Sequence, residues 1–150
     1  TFDNEGVATT ARDLLKDGIL QGYLLSSYSA RKLGMRTTGN AGGSHNLIMQ
    51  SSLTRPEDSL AALLKKMDRG LLLTELIGRG VNYVTGDYSR GAFGYWVENG
   101  EIQYPVQEIT IAGNLREMFQ QIQAVGADQI TRGAKTSGSV LIEQMAVAGA

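Results

Sequence analysis

The sequence predicts an α+β fold, in which a mainly antiparallel sheet is curled into an open or partly closed β-barrel with two amphipathic helices packed in or against it. Three observations support this class. The 19 glycines indicate many turns and bulges, since glycine inside a helix or strand costs about 0.5–1 kcal/mol. Asp17-Gly18 and Asn99-Gly100 are typical two-residue hairpin turns. Helical patterns do not alternate regularly with strand patterns, as they would in a parallel α/β domain.

The first elements along the chain are predicted to be a hairpin and a short helix. Residues 7–15 and 19–25 flank Asp17-Gly18, whose residue types accept the positive φ angles of the turn. Residues 27–33 predict a helix with a serine cap, and Gly34 ends it.

A strand and the first amphipathic helix come next. Residues 45–51 predict the strand. Thr54 and Glu57 have the spacing of a capping box, in which each side chain satisfies a free backbone N–H group. Apolar residues then recur at helical intervals over 60–67, and Gly70 ends the segment.

The middle of the chain predicts four strands. Residues 71–77 form a β-prone, buried segment, and residues 81–85 predict a further strand. Residues 92–98 and 101–112 then form a second hairpin around Asn99-Gly100.

The last part predicts the second amphipathic helix and a final strand. Asn114 offers a cap with Glu117 three residues later, and one apolar stripe continues through Val125 until Gly126 stops it. Residues 139–148 are almost continuously apolar, which is typical of a strand covered on both faces.

Composition excludes several classes of protein. With 14 Lys plus Arg against 15 Asp plus Glu, the net charge of −1 creates no long-range field for nucleic acid. The chain has no cysteine, which excludes disulfides and thiolate metal sites. No apolar run approaches the roughly 20 residues that span a bilayer. The length of 150 residues fits a single domain.

Few side chains offer hydrolytic chemistry. A catalytic zinc needs about three protein ligands, and this chain has one histidine, His45. His45 and Ser44 are adjacent, so in an extended segment they point to opposite faces, and we expect His45 to be a structural residue with one hydrogen bond. The segment around Ser89 has Asp87 where a Gly-x-Ser-x-Gly nucleophile motif has its first glycine. Residues 39–43 lack the lysine of a phosphate-binding loop. We therefore expect no catalytic residue and no metal ligand on this chain.

One segment combines features that suit recognition of an extended peptide or a partner loop. Around Gly86 the sequence predicts a glycine-rich loop with a carboxylate, a guanidinium and aromatic surface. The residues that we expect to contact a peptide or a partner are Asp87, Tyr88, Ser89, Arg90, Gly91, Tyr95 and Trp96. Tyr95 and Trp96 lie on opposite faces of one strand. The alternative is a tight turn held by an Asp87–Arg90 pair.

Several segments spread over nearly the whole chain resemble one protein family, that of the TldD/TldE (PmbA) metallopeptidases. These segments are Phe2-Asp3-Asn4-Glu5-Gly6-Val7, residues 28–34, Thr38-Gly39-Asn40-Ala41-Gly42-Gly43, residues 86–102 and residues 139–145. The resemblance implies that the chain is a C-terminal fragment of a much longer protein.

The resemblance also implies a two-subunit cytoplasmic peptidase, in which the TldD chain holds zinc and the TldE chain, also called PmbA, does not. TldD-like chains carry a His-Glu-x-x-x-His motif, and they place a zinc-binding cysteine before a glycine near the C-terminus. Here that position is Ser137-Gly138, and a neutral hydroxyl is a much weaker zinc ligand than a thiolate. The chain is therefore identified as a member of the TldE/PmbA branch, with zinc in its partner subunit.

We expect this domain to support a TldD-like catalytic subunit and to shape a chamber for small, unstructured peptides, as in peptide maturation and antitoxin degradation. The alternative is an autonomous β-rich module that binds a peptide or nucleic acid, in line with an older label in the family, modulator of DNA gyrase. A third hypothesis is a homodimeric peptidase whose metal ligands all lie upstream.

Overall fold

The structure is a computed structural model, and it describes residues 1–149. Helices in this range are α1 (Ser27–Lys32), α2 (Leu60–Met67) and α3 (Leu115–Gln120). Strands are β1 (Leu15–Lys16), β2 (Ile19–Leu20), β3 (Leu47–Met49), β4 (Gly70–Ile77), β5 (Asp87–Glu98), β6 (Glu101–Asn114), β7 (Ile122–Val125), β8 (Ile130–Arg132), β9 (Lys135–Ser137), β10 (Val140–Ile142) and β11 (Ala146–Ala148). The predicted α+β class with mainly antiparallel strands is confirmed.

The strands form four separate sheets within residues 1–149, in the orders β1-β2, β10-β7, β11-β6-β5-β4 and β3-β9-β8. In this part of the chain no sheet closes into a barrel. Contacts divide the chain into two compact units, one of residues 1–48 with 132–135, the other of residues 49–131 with those from 136 onward. No helix among the described residues is long and apolar enough to cross a membrane.

The smaller unit begins with a hairpin that is shorter than the sequence predicts. Asp17 (φ 51°) and Gly18 (φ 76°) form the predicted turn, but each strand has only two residues. Leu15 and Ile19 remain exposed, so no packing against a second layer extends the pairing. The prediction of long strands over 7–15 and 19–25 is wrong.

Helix α1 confirms the prediction for residues 27–33 to within one residue. Its cap is Ser26, whose hydroxyl accepts the N–H of Ser29 while the Ser29 hydroxyl accepts the N–H of Ser26. The helix is followed by Gly34 in the left-handed region, at φ 64°. The strand predicted over 45–51 is confirmed but shortened to β3.

The buried acid Asp3 organises the start of the smaller unit. Its side chain is 3% exposed. One carboxylate oxygen accepts the N–H groups of Glu5 and Val7, each at 2.9 Å, and the other accepts that of Ala41 at 2.9 Å. Burial favours the neutral acid, but these backbone donors and the nearby His45 favour the carboxylate more strongly. The net effect lowers the pKa of Asp3 below its ordinary value of 3.8.

This lowered pKa predicts an acid-sensitive contribution to stability. Because the folded pKa of Asp3 lies below 3.8, the stabilisation is fully present above that pH and is lost as the pH falls through the folded value. We expect urea midpoints, measured from about pH 6 to about pH 3, to fall less steeply below pH 4 in Asp3→Asn than in the wild type. Asp13→Asn, at an exposed acid, should keep the wild-type profile. Parallel profiles for Asp3→Asn and the wild type would contradict the assignment.

The larger unit is built around the hairpin of β5 and β6. Asn99 (φ 55°) and Gly100 (φ 72°) form the predicted turn, and the pairing runs from Glu98↔Glu101 to Asp87↔Asn114. Its central pairs supply the core residues Ala92, Ile109 and Ile111. The second predicted hairpin is therefore confirmed, and β5 begins five residues earlier than residue 92.

Two bulges flank the middle of β5. Thr74 is the extra residue in β4 where the register shifts opposite Phe93 and Gly94. On the other side, Glu108 lies in β6 at the corresponding shift and has a φ of 57°. Bulges bend a strand and increase its twist, so the sheet is curved on both sides of the same residues.

Helix α2 is confirmed, but its predicted capping box is wrong. Ser59 is the cap, and its hydroxyl accepts the N–H of Ala62 at 3.3 Å. The Thr54 hydroxyl instead donates to the Val125 carbonyl at 2.6 Å. Pro56 explains the shift, because the residue before a proline avoids the helical conformation.

Residues 81–85, predicted as a strand, form a turn with only an isolated bridge between Val81 and Tyr88. The Asn82 side-chain oxygen accepts the N–H groups of Val84 at 2.9 Å and of Thr85 at 3.3 Å. An asparagine that binds the backbone in this way favours a turn over a strand.

Two predictions for the last part of the chain are wrong in extent. The helix expected to reach Val125 ends at Gln120, and residues 122–125 form β7, because they pair with β10. The single strand expected over 139–148 is two strands in two sheets: β10 pairs with β7, while β11 pairs with β6 at a sheet edge. Long-range pairing decides both outcomes, and local periodicity does not report it.

Candidate functional site

The predicted recognition segment, residues 87–91, is the first part of strand β5 and not a loop. The predicted Asp87–Arg90 turn is also wrong. The guanidinium of Arg90 donates to the carbonyls of Leu76 at 3.1 Å and Ile77 at 3.4 Å. The Asp87 carboxylate accepts the Thr85 hydroxyl at 2.6 Å. Arg90 thus holds the end of β4, while the side chains of Asp87 and Ser89 are exposed.

The aromatic residues of β5 have different surroundings. Tyr88 packs against the core of Ala92, Ile109 and Ile111. Tyr95, directly opposite Pro105, is 38% exposed. Trp96 lies opposite Tyr104 on the other face and is partly buried.

Trp96 lines an apolar groove of about 420 Å³ in the larger unit. The walls of this groove come from helix α2, the first half of β4 and the segment around β10. Its main apolar lining residues are Leu60, Leu63, Leu64, Met67, Leu71, Leu72, Leu73, Trp96, Leu141, Ile142 and Met145. We call this cavity the α2–β4 groove.

The α2–β4 groove follows a sheet edge. Strand β4 is the last strand in the order β11-β6-β5-β4, so the described strands pair with only one of its edges. Four consecutive residues of β4, Gly70 to Leu73, line the groove. Because successive side chains of a strand point to opposite faces, a run of consecutive lining residues indicates that the groove meets the strand at its edge. Such an edge can pair with an added extended segment.

Charged residues lie at one end of the groove, where a second cavity of about 270 Å³ shares five lining residues with it, namely Met67, Arg69, Leu141, Ile142 and Glu143. The guanidinium carbon of Arg69 is 5.4 Å from the centre of the Trp96 ring. The Lys66 ammonium donates to the Gln123 carbonyl at 2.9 Å, and the Gln123 amide donates to Glu143 at 3.0 Å. We call Lys66 and Arg69 the cationic end.

The described residues do not fit a catalytic zinc ion. No group of three His, Cys, Asp or Glu side chains converges within residues 1–149. The Ser137 hydroxyl, at the position that resembles the zinc cysteine, donates to the carbonyl of Gly138 at 2.9 Å. In the smaller unit, the Nε2 atom of His45 is buried, and no hydrogen-bond partner for it occurs among the described atoms. The expected single hydrogen bond of His45 is therefore not found at this nitrogen.

Sequence reasoning missed the groove and its cationic end. The apolar stripe of α2 was expected to be covered by the sheet, yet Leu63 is the one residue of this helix that is buried. A signal was present in the sequence, since Lys65 and Lys66 lie in the last turn of α2, Arg69 follows it, and Trp96 is the single tryptophan. What the sequence could not show is that residues 139–145 lie opposite them.

Comparisons with known proteins agree with the fold and the motifs. A family model described as the PmbA/TldA metallopeptidase C-terminal domain matches residues 1–149. The chain is 57% identical over 148 residues to Metalloprotease PmbA of Escherichia coli O157:H7, covering 99% of this chain and 32% of that protein. It is 54% identical over 148 residues to a Metalloprotease PmbA homolog of Haemophilus influenzae, again covering 99% of this chain and 32% of that protein.

A solved structure has the same fold. It is a Thermotoga maritima protein labelled as a candidate modulator of a DNA gyrase, with a TM-score of 0.86 and 42% identity, covering 98% of this chain and 35% of that one. The chain spans about a third of the length of the curated relatives it matches (32%). It therefore belongs to the PmbA/TldA metallopeptidase family, as a C-terminal domain of the PmbA branch.

Proposed function

We propose that this chain is the C-terminal domain of a PmbA-type subunit in a cytoplasmic zinc peptidase of two different chains. In this proposal the α2–β4 groove holds an extended peptide, and a TldD-like partner subunit supplies the zinc ion and activates water. The observation that carries the proposal is the apolar groove along the unpaired edge of β4.

The edge of β4 suits substrates without a fixed sequence. An added strand is held by main-chain hydrogen bonds, which every residue type except proline can form in full. Apolar walls then favour hydrophobic side chains of the peptide, and Trp96 provides a large, rigid contact surface. Small, unstructured peptides, such as a peptide precursor or an unfolded antitoxin, meet these requirements because their backbone groups are free to pair.

The exposed side of β5 is proposed as the contact with the partner subunit. Asp87, Ser89 and Tyr95 present a carboxylate, a hydroxyl and an aromatic ring to solvent. Tyr88, Arg90 and Gly91 position this strand through the core and the end of β4. Trp96, on the opposite face, is assigned to the peptide.

The test is a change in the groove wall of the full-length protein, assembled with a TldD-like subunit. We expect Trp96→Ala to lower kcat/KM for an unstructured apolar peptide about tenfold or more, because central aromatic anchors dominate binding energy. Phe119→Ala is the matched control, since Phe119 is 66% exposed and does not line the groove. Peptide cleavage is followed by mass spectrometry, and zinc content is measured for each subunit.

Two results would contradict the proposal. If Trp96→Ala and Phe119→Ala cleave peptides equally well, the groove does not hold the substrate. If the full-length PmbA-type protein alone binds one zinc ion per chain and cleaves peptides, the division of labour between two subunits is wrong, and a homodimeric peptidase is favoured.

A second candidate is a module that binds nucleic acid or a peptide without hydrolysis. The label of the Thermotoga structure, which mentions DNA gyrase, is the observation that favours it. The net charge of −1 argues against a nucleic-acid partner. DNA binding that weakens steeply with salt would support this candidate over the peptidase subunit.

A further inference from the structure

The two cations at the end of the α2–β4 groove have neutral partners in the structure. Lys66 donates to a carbonyl oxygen, and Arg69 lies over the Trp96 ring. Both side chains are exposed, and an ammonium has three donors while a guanidinium has five. Most of their donor capacity is therefore free to bind an anionic group.

The charge balance at this end is positive. Lys66 and Arg69 share the smaller cavity with one acid, Glu143, whose carboxylate already accepts the amide of Gln123 at 3.0 Å. Two positive charges and one negative charge leave an excess of one. A ligand that places a single carboxylate there would complete the local charge, and a guanidinium binds a carboxylate with two parallel hydrogen bonds.

Strand direction indicates which carboxylate this is. The strand pairs β11·β6, β6·β5 and β5·β4 of the four-stranded sheet are all antiparallel. A peptide that adds to β4 in the same manner runs opposite to it, from Ile77 towards Gly70. Because Arg69 directly precedes Gly70, the peptide reaches the cationic end with its C-terminus.

We infer that the α2–β4 groove recognises the free C-terminal carboxylate of an extended apolar peptide through Lys66 and Arg69. The inference rests on the proposed function, and it adds a substrate class to it: peptides with an apolar C-terminal residue and an unblocked end. The last side chain lies among the leucines of α2 and β4, and the carboxylate lies between Lys66 and Arg69. An amidated peptide keeps the apolar contacts and loses the ionic ones.

The test measures binding to the full-length protein assembled with its catalytic subunit, in the presence of a chelator that prevents cleavage. The probe is a fluorescein-labelled peptide, Gly-Ala-Leu-Ala-Leu, with a free acid or an amide at its C-terminus, and anisotropy gives each Kd. We expect the acid to bind roughly threefold to tenfold more tightly than the amide, since each of two exposed ion pairs contributes little. The double variant Lys66→Gln/Arg69→Gln should lose this preference. The single variant Arg69→Lys, which keeps both positive charges, should retain part of it.

Lys65→Gln is the matched control, because Lys65 is a neighbouring cation of the same helix that does not line the groove. It should keep the full preference for the acid. Equal binding of acid and amide by the wild type would overturn the inference while leaving the proposed function intact. A third peptide is amidated and carries glutamate next to its last residue. It distinguishes a C-terminal carboxylate from a side-chain carboxylate. If it binds as tightly as the free acid, the inference is also wrong.

Two further outcomes are informative. A preference for the acid that survives Lys66→Gln/Arg69→Gln places carboxylate recognition elsewhere and overturns the inference. Failure of every peptide to bind, with the cleavage assay also negative, removes the proposed function and the inference together.

Discussion

Replacing Gly94 with alanine is expected to destabilise the larger unit by about 3 kcal/mol, the upper range for forcing atoms into a packed site. A Cβ atom at this position would overlap the carbonyl oxygen of Leu72 and lie 2.9 Å from its carbonyl carbon. Both atoms belong to the backbone of β4, so no side-chain rotation relieves the clash. Gly94 also lies between the bulge at Thr74 in β4 and the bulge at Glu108 in β6, which fix how closely these two strands approach β5.

The measurement is urea denaturation of the chain, followed by the fluorescence of its single tryptophan, Trp96. Gly91→Ala is the matched control in the same strand. There the nearest atom to the new Cβ is the Cβ of Ile77 at 3.5 Å, an ordinary contact. We expect Gly91→Ala to stay within about 0.5 kcal/mol of the wild type. Equal midpoints for the two variants would show that β4 moves away without cost.

Gly138→Ala is the second large effect, and we expect a loss of about 3 kcal/mol for the same steric reason. The added Cβ would overlap the carbonyl oxygen of Gly126 and lie 2.7 Å from its carbonyl carbon. The surrounding backbone cannot shift freely, because the N–H of Gly126 donates to the carbonyl of Ser139 at 2.7 Å. Asp128 also holds Ser139, through its N–H at 3.0 Å and its hydroxyl at 2.6 Å.

Thermal unfolding followed by circular dichroism is the measurement for Gly138→Ala. Ser137→Ala is the neighbouring control, since within residues 1–149 the Ser137 hydroxyl donates to the adjacent carbonyl of Gly138 alone. Its removal should change stability by about 0.5 kcal/mol or less. A small effect of Gly138→Ala would refute the steric requirement. Confirmation would mean that packing requires a glycine directly after Ser137, independently of any metal.

The two hairpin turns, α1 and the body of α2 illustrate what local sequence can specify. Asp17-Gly18 and Asn99-Gly100 predicted their turns, because few residue pairs accept two positive φ angles. The periodic stripe of α2 predicted the helix, since burial of one face leaves a 3.6-residue repeat. The family motifs predicted the PmbA branch, and the comparisons confirm it.

The predictions that are wrong share a physical cause, which is pairing with distant residues. Residues 122–125 continue a helical stripe, but they form a strand because β10 lies beside them. Residues 139–148 appear uniform in sequence, yet residues 143–145 separate pairing with β7 from pairing with β6. For the site, the sequence does not show whether the leucines of α2 and β4 face a core or an open groove. The cationic end depends in the same way on a three-dimensional neighbour, the segment around Glu143.

The register of the β5–β6 hairpin also constrains how the larger unit assembles during folding. Its strands are joined by a two-residue turn, so closing that loop costs little chain entropy. Strand β4 lies next to β5 both in the sheet and along the chain. Strand β11, in contrast, reaches β6 only after the intervening α3 to β10 region. We therefore expect strand pairing to start at Asn99-Gly100, and the outer edge of β6 to stay unpaired until β11 arrives. We expect chains that lack β11 to present that edge to other molecules, so that pairing with β11 protects β6 against aggregation.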